Sequence, residues 1–285
     1  MKVNEVSKQS ERDISAPITE GWDTGSHDEF FKYYEQQSQS PEAIERFRRA
    51  SEMLLRVYGM GTAHRQLDIL DVGCGAGTQS LCWLQHDHRY CGIDINEPLI
   101  RLAQSRAKEQ GIEARFEVGT ATALPCADQS IDICLLPELL EHVADWQSCV
   151  DEAIRVVRPG GLIYINTSSK LCPFQQEFNL PLYGWYPAVL KRYFEKRAVT
   201  DWPAVANFAK YPAVNWFSFY GLRNYLAPNG FVCTDRFDLI DAQSKGIAAR
   251  VFLKALRMLP PLRLLGHIAT PYTLVVARKQ ESPSA

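Results

Sequence analysis

Three groups of residues in this chain have the types and spacing to do chemistry. The first is Leu67-Asp-Ile-Leu-Asp71-Val-Gly73-Cys74-Gly75-Ala-Gly77, an apolar run that ends in three alternate glycines. Glycine lets backbone turn tightly and lets a ligand approach where a Cβ would block it. The second is Tyr90-Cys-Gly-Ile-Asp94-Ile95, an apolar run ending in a carboxylate 19 residues after Gly75. A carboxylate presents two acceptor oxygens, enough to hold both hydroxyls of a ribose. The third is Glu138-Leu-Leu-Glu141-His142-Val143. Its carboxylates and imidazole are the groups that take a proton from an acceptor hydroxyl or hold a divalent cation.

These residues act only if secondary structure positions them. Leu67, Ile69, Leu70 and Val72 predict a short buried strand, and 78–84 a helix after the glycines. A strand that stops at a glycine turn and feeds a helix N-terminus is how open α/β sheets hold nucleotide-like ligands. The glycine spacing is G-x-G-x-G, because position 78 is Thr78. That departs from the G-x-G-x-x-G of dinucleotide binding and disfavours a nicotinamide dehydrogenase. Asp94 ends a second strand, near the spacing at which an acid meets a ribose hydroxyl in such folds. A helix over 98–110, a strand over 114–118, a strand over 131–136, a helix over 146–157 and a strand over 162–166 follow. This alternation predicts a doubly wound, mostly parallel α/β sheet.

On Asp71-Val-Gly73-Cys74-Gly75-Ala-Gly77, the chain resembles class I S-adenosylmethionine-dependent methyltransferases at their first motif. The turn Arg158-Pro-Gly-Gly before an apolar strand is similar to a frequent signature of the same enzymes. The resemblance implies a Rossmann-like methyltransferase fold with a seven-stranded sheet, its last strand (272–277) antiparallel to the strand before it, predicted over 231–240. It implies S-adenosylmethionine as cofactor, held by Asp71, Gly73, Cys74, Gly75, Gly77, Asp94 and Ile95, with Thr120, Ala121 and Leu136 completing the site. Related enzymes commonly carry Gly-Asp-Ala where this chain has Gly119-Thr120-Ala121, so either the Thr120 hydroxyl or the Ala121 N–H would serve the adenine. The stretch at 138–143 resembles the ubiquinone-biosynthesis O-methyltransferases, whose acidic residues and His are implicated in holding a cation near a phenol. That resemblance implies Glu138, Glu141 and His142 as ligands for Mg²⁺. The alternative is a metal-free loop with His142 and Glu141 as the catalytic pair, His142 acting as base or orienter.

The rest of the chain divides into an N-terminal helical lid segment (1–62), the α/β core (63–167), an inserted substrate cap (168–217) and a C-terminal part of the core (218–285). Phe30, Phe31, Tyr33 and Tyr34 either pack on the core or cover a hydrophobic pocket. The stretch 168–216 carries eleven aromatic residues, among them Phe174, Phe178, Tyr183, Trp185 and Trp216. It is too aromatic for a disordered linker, and either folds over the cofactor site to shape the acceptor pocket or only packs or dimerises. From 242 to 280 there are seven Lys and Arg side chains and no acidic one. Within this region, 246–266 alternates long aliphatics with basic residues, the pattern of a helix lying on anionic lipid, packed on the core, or meeting a partner. Pro260 and Pro261 should divide it.

Bulk properties exclude several classes. A net charge of −2 gives no global pull toward nucleic acid. The run Leu136-Pro137-Glu138-Leu139 is not the Asn/Asp-Pro-Pro-Tyr expected of a base-amine methyltransferase. Eight cysteines without a C-x-x-C pair predict reduced thiols in a cytoplasmic protein. The first residues lack the apolar stretch of a signal peptide, and no apolar run is long enough to span a bilayer. The expected function is methyl transfer to a small hydrophobic acceptor at oxygen, a quinone precursor or lipid-linked molecule. The alternatives are a sugar or polyketide O-methyltransferase and a non-catalytic cofactor-binding subunit.

Overall fold

The computed structural model describes residues 39–59, 65–206 and 212–281. The aromatic segment at 30–34, and Phe208 and Tyr211 of the insertion, lie outside the described residues.

Helix α1 (Pro41–Tyr58) begins where the Ser40 hydroxyl accepts the Ala43 N–H, with Pro41 in the first turn, and stops at Gly59 with φ +96°. Such a cap contributes about 1 kcal/mol. Strand β1 spans Asp68–Val72. Ile69 joins the hydrophobic core on one face of the sheet, while Leu70 and Val72 join the core on the other. A central strand covered on both faces needs apolar side chains at successive positions, which is why the run lacks strict alternation.

The chain continues through α2 (Ser80–Leu84), β2 (Arg89–Asp94), α3 (Glu97–Glu109), β3 (Arg115–Val118), β4 (Ile131–Pro137), α4 (Trp146–Val156) and β5 (Val157–Ser168). After the insertion come α6 (Phe219–Leu226), β6 (Phe231–Asp235), α7 (Arg236–Leu239), α8 (Ile247–Met258), α9 (Pro260–Ile268) and β7 (Tyr272–Lys279), with α5 (Ala188–Val199) inside the insertion. The seven strands form one sheet in the order β3-β2-β1-β4-β5-β7-β6. β7 runs antiparallel to both its neighbours, β5 and β6, and the other pairings are parallel. The expected doubly wound, mostly parallel seven-stranded architecture is present.

Strand order reverses between β1 and β4, and the crevice beyond their carboxyl ends is where such sheets place ligands. The glycine turn, Asp94, Gly119-Thr120-Ala121 and the 138–142 loop all leave the sheet on that edge. The opposite edge is closed by the buried Asp132 carboxylate. It accepts from the Tyr58 hydroxyl at 2.5 Å, from Arg65 at 2.7 Å, from Arg158 at 3.0 Å and from the Asp68 N–H at 2.8 Å.

Three boundaries differ from the sequence expectation, each for a local reason. Helix α2 starts at Ser80 because the Gly77 carbonyl is engaged by both the Ser80 N–H and hydroxyl in a preceding turn. Strand β5 runs back through the Arg158-Pro-Gly-Gly segment to Val157, with a register shift against β4. Strand β6 ends at Asp235 instead of reaching 240, since the Asp235 carboxylate accepts the N–H groups of Phe237 and Asp238 and starts a helix. The helical division at Pro260 and Pro261 is as expected.

The insertion uses its aromatics to build a small core of its own. Phe178 stacks on Tyr183 with centroids 4.2 Å apart, and Trp216 meets Tyr183 edge-on at 5.7 Å. Val205, Ala206 and Ala198 complete this cluster, with Phe194 and Tyr186 at its margin. Packing therefore accounts for much of the aromatic richness. Cys82, Cys134, Cys149 and Cys172 are buried as small apolar residues.

Candidate active site

The glycine turn is built by backbone geometry. Gly73, Gly75 and Gly77 have φ of +77°, +53° and +73°, the left-handed region that side chains disfavour. A Cβ at Gly77 would sit 2.6 Å from the Phe116 ring, and one at Gly73 2.9 Å from Leu139. The N–H groups of Gly73 and Cys74 donate to the Ile93 carbonyl, tying the turn to β2. The Cys74 side chain lies against Gly92, so Cys74 contributes to the turn through its backbone and packing.

Asp94 stands at the end of β2. Its Oδ2 accepts the Gly75 N–H at 2.8 Å and its Oδ1 the Asn96 N–H at 2.8 Å. Burial raises this carboxyl from its ordinary value, while the N–H groups of Asn96, Gly75 and Ile95 act in the opposite direction. Each Asp94 oxygen has a second lone pair for a ribose hydroxyl. Asp71 is fully buried on β1. Its Oδ2 accepts from Gln79 Nε2 at 3.0 Å and from the Tyr90 hydroxyl, while Oδ1 has no hydrogen-bond partner. Burial pushes Asp71 up to about 6. An orphaned acceptor beside a cradle that a Cβ would fill, with a preset carboxylate at its rim, fits a nucleoside ligand bearing an ammonium group.

Thr120 hydrogen-bonds the Thr122 hydroxyl at 2.9 Å and also accepts the Thr122 N–H. This local turn engages the hydroxyl expected to meet adenine, leaving the Ala121 backbone as the better of the two candidates. The Leu136 side chain is fully buried in the core at the carboxyl end of β4.

The loop after β4 opens at Glu138, a non-glycine residue with φ +51°. Strain of this kind clusters at functional sites. The Glu138 N–H donates to the Asn166 carbonyl at 2.7 Å, extending the β4–β5 ladder, and its exposed carboxylate accepts from Arg46 of α1 at 3.2 Å. Glu141 turns the other way. It is buried and accepts the Thr167 hydroxyl at 2.7 Å, and burial pushes its carboxyl up to about 8. His142 is half-buried, and its backbone N–H donates to the Leu139 carbonyl.

Among the described residues, no three His, Cys, Asp or Glu side chains gather at a point that would hold a metal ion. The expected Glu138, Glu141 and His142 ligand set is thus not assembled, because Glu138 faces α1 and Glu141 faces β5. The physical reason is the turn itself, which points neighbouring side chains to opposite sides.

Sequence reasoning missed Asn215. Its Nδ2 donates to the carbonyls of Leu140 at 3.2 Å and Val143 at 2.7 Å, and its backbone N–H and that of Val214 donate to the Glu141 carbonyl. A strand-like strap from the insertion therefore holds the loop that carries His142. Nothing local in the sequence marks it, since the contact spans some seventy residues. Thr167 was also missed, although its place at the carboxyl end of β5 was a usable signal.

The seven-stranded sheet, with β7 antiparallel, has the strand order of an open α/β fold whose crevice lies beyond β1 and β4. Residues 70–165 match the family model described as a methyltransferase domain. A ubiquinone biosynthesis O-methyltransferase from Rhizobium johnstonii is 36% identical over 104 residues, covering 36% of this chain and 42% of that protein. An uncharacterized methyltransferase from Mycolicibacterium gilvum is 36% identical over 114 residues, covering 40% of this chain and 44% of the other. The chain thus spans less than half the length of these curated relatives. A solved S-adenosylmethionine-dependent methyltransferase from Mesorhizobium loti shares the fold with a TM-score of 0.51 at 22% identity, over 79% of this chain and 95% of that one. Residues 70–165 of this chain are therefore similar to a methyltransferase domain.

Proposed function

We propose that this protein transfers the methyl group of S-adenosylmethionine to an oxygen of a small hydrophobic acceptor, a quinone precursor or a lipid-linked molecule. One observation carries the reading: the turn at 73–77 and Asp94 are hydrogen-bonded into a single cradle, and the His142 loop leaves the same edge of the sheet. The likeness of 70–165 to ubiquinone biosynthesis O-methyltransferases favours oxygen as the acceptor atom.

The cofactor supplies a methyl already activated on a sulfonium, so catalysis depends chiefly on holding two reactants in line. The glycine turn offers backbone close to the ligand, Asp94 accepts from the ribose, and Asp71 Oδ1 satisfies the ammonium. An acceptor hydroxyl must lose its proton as the new bond forms. His142 is the residue assigned to receive it. Glu141, buried and accepting from the Thr167 hydroxyl, holds the loop on β5. A Mg²⁺ ion at 138–142 has support in the sequence resemblance alone.

Incubation with trideuteromethyl-labelled S-adenosylmethionine and a cell extract tests this reading. Label in the organic-soluble fraction is the expected result. Label confined to water-soluble metabolites would support a sugar acceptor, and no transfer at all would overturn the enzyme reading. Loss of transfer with EDTA, restored by Mg²⁺, would return Glu138 and His142 to a metal role.

A further inference from the structure

Helices α8 and α9 form an insertion between β6 and β7. Because β6 runs parallel to β5, this insertion leaves the sheet on the same edge as the candidate active site. Its inner side is firmly fixed. Leu253 and Leu256 are buried, and Arg263 and the buried His267 meet Asp235 at 2.7 Å and 2.9 Å. Arg257 donates to the carbonyls of Phe237 and Ile240 at 3.0 Å and 2.7 Å. These contacts account for the inward-facing basic residues.

The outer side is not explained by the fold. Ile247, Val251 and Met258 are 78%, 64% and 67% exposed. Their spacing of four and seven residues places them along one stripe of α8, opposite Leu253 and Leu256. Leu259 and Leu265 continue the exposed apolar surface onto the turn and α9. Lys254 shares the stripe, and Lys245 and Arg250 border it, all three exposed. No Asp or Glu occurs anywhere from 242 to 280. Exposed large aliphatics in a contiguous patch mark an interaction surface.

We propose that the outer face of α8 and α9 docks this protein on an anionic lipid surface. Charge chooses the occupant. A second copy of the chain would bring these same basic residues face to face, whereas anionic headgroups complement Lys245, Arg250 and Lys254. The aliphatic stripe then enters the acyl boundary while the cations stay at headgroup level, the arrangement of an interfacial helix. The inference concerns binding only and stands whichever acceptor is methylated.

The full chain would be sedimented with vesicles of phosphatidylcholine alone or mixed with phosphatidylglycerol. The expected result is binding to the anionic vesicles only, weakened by added salt. Val251→Asp with Met258→Asp, and separately Lys245→Glu with Lys254→Glu, should each reduce that binding by about tenfold or more. Both pairs are exposed, so an unchanged melting temperature serves as the folding control. Absence of anionic vesicle binding, or binding that both double variants retain, would overturn the proposal. So would a concentration-dependent dimer that the apolar variant abolishes, which would assign the face to a second copy.

Discussion

The Gly75 N–H donates to Oδ2 of Asp94 at 2.8 Å, so two features 19 residues apart form one hydrogen-bonded unit. The glycine turn is held open partly by the same carboxylate assigned to the ribose. Replacing Asp94 with Ala removes both the turn's anchor and the ribose acceptor. S-adenosylmethionine binding, measured by calorimetry, should weaken by more than about tenfold, the size of one lost charge-assisted hydrogen bond. Asp94→Asn retains an acceptor oxygen and should fall between. Unchanged affinity in the Ala variant would sink the cofactor assignment.

Gly77 tests the cradle by stability. Its φ of +73° already disfavours a side chain, and a Cβ would lie 2.6 Å from the buried Phe116 ring. Gly77→Ala should cost about 2 kcal/mol from backbone strain and overpacking together. Thermal unfolding would report this as a lower melting temperature. Gly111→Ala is the comparison, having a similar φ of +65° but open space around its Cβ. A cost no larger than that of Gly111→Ala would show that the ring moves aside freely.

The legible and illegible parts of this molecule separate by the range of the interactions that encode them. Gly73, Gly75, Gly77 and Asp94 were readable because strand, turn and helix constrain residues a few positions apart. The sheet was readable because alternating apolar runs and glycine stops recur along the core. The side-chain directions at 138–142 were not, since the left-handed turn at Glu138 sends Glu138 toward Arg46 and Glu141 toward Thr167. Asn215 was hidden for the same reason, because only the folded insertion brings it to Leu140 and Val143. The end of β6 was misplaced because Asp235 caps a helix that the apolar run Phe231 to Ile240 conceals.

Glu141 should leave a mark on the pH dependence of stability. Burial lifts its carboxyl from 4.5 to about 8 in the folded protein. Between those values the folded state keeps a proton that the unfolded state has released. Stability from this group is therefore lost as pH rises across that window. Glu141→Gln has no proton to lose and can still accept from Thr167. Denaturant titrations should show wild type losing roughly 3 to 4 kcal/mol relative to Glu141→Gln between about pH 5 and about pH 8. Asp71, pushed up to about 6, acts in both proteins and cancels in the comparison. Parallel pH slopes would mean that Glu141 ionises normally.

Asn215 offers a test of how the insertion governs the candidate site. Its side chain spans two carbonyls of the 140–143 loop. Asn215→Ala removes both donations, while the N–H groups of Val214 and Asn215 still reach Glu141. The global cost should be modest, about 1 kcal/mol or slightly more. The local effect should be larger, because the loop carrying His142 loses the ties on both sides of it. Hydrogen exchange at 139–144 should therefore quicken more than in β4, whose ladder is untouched. Methyl transfer should fall while cofactor affinity holds, since Gly75 and Asp94 are on a different loop. If cofactor affinity fell equally, the strap would be supporting the whole edge and not the His142 loop alone.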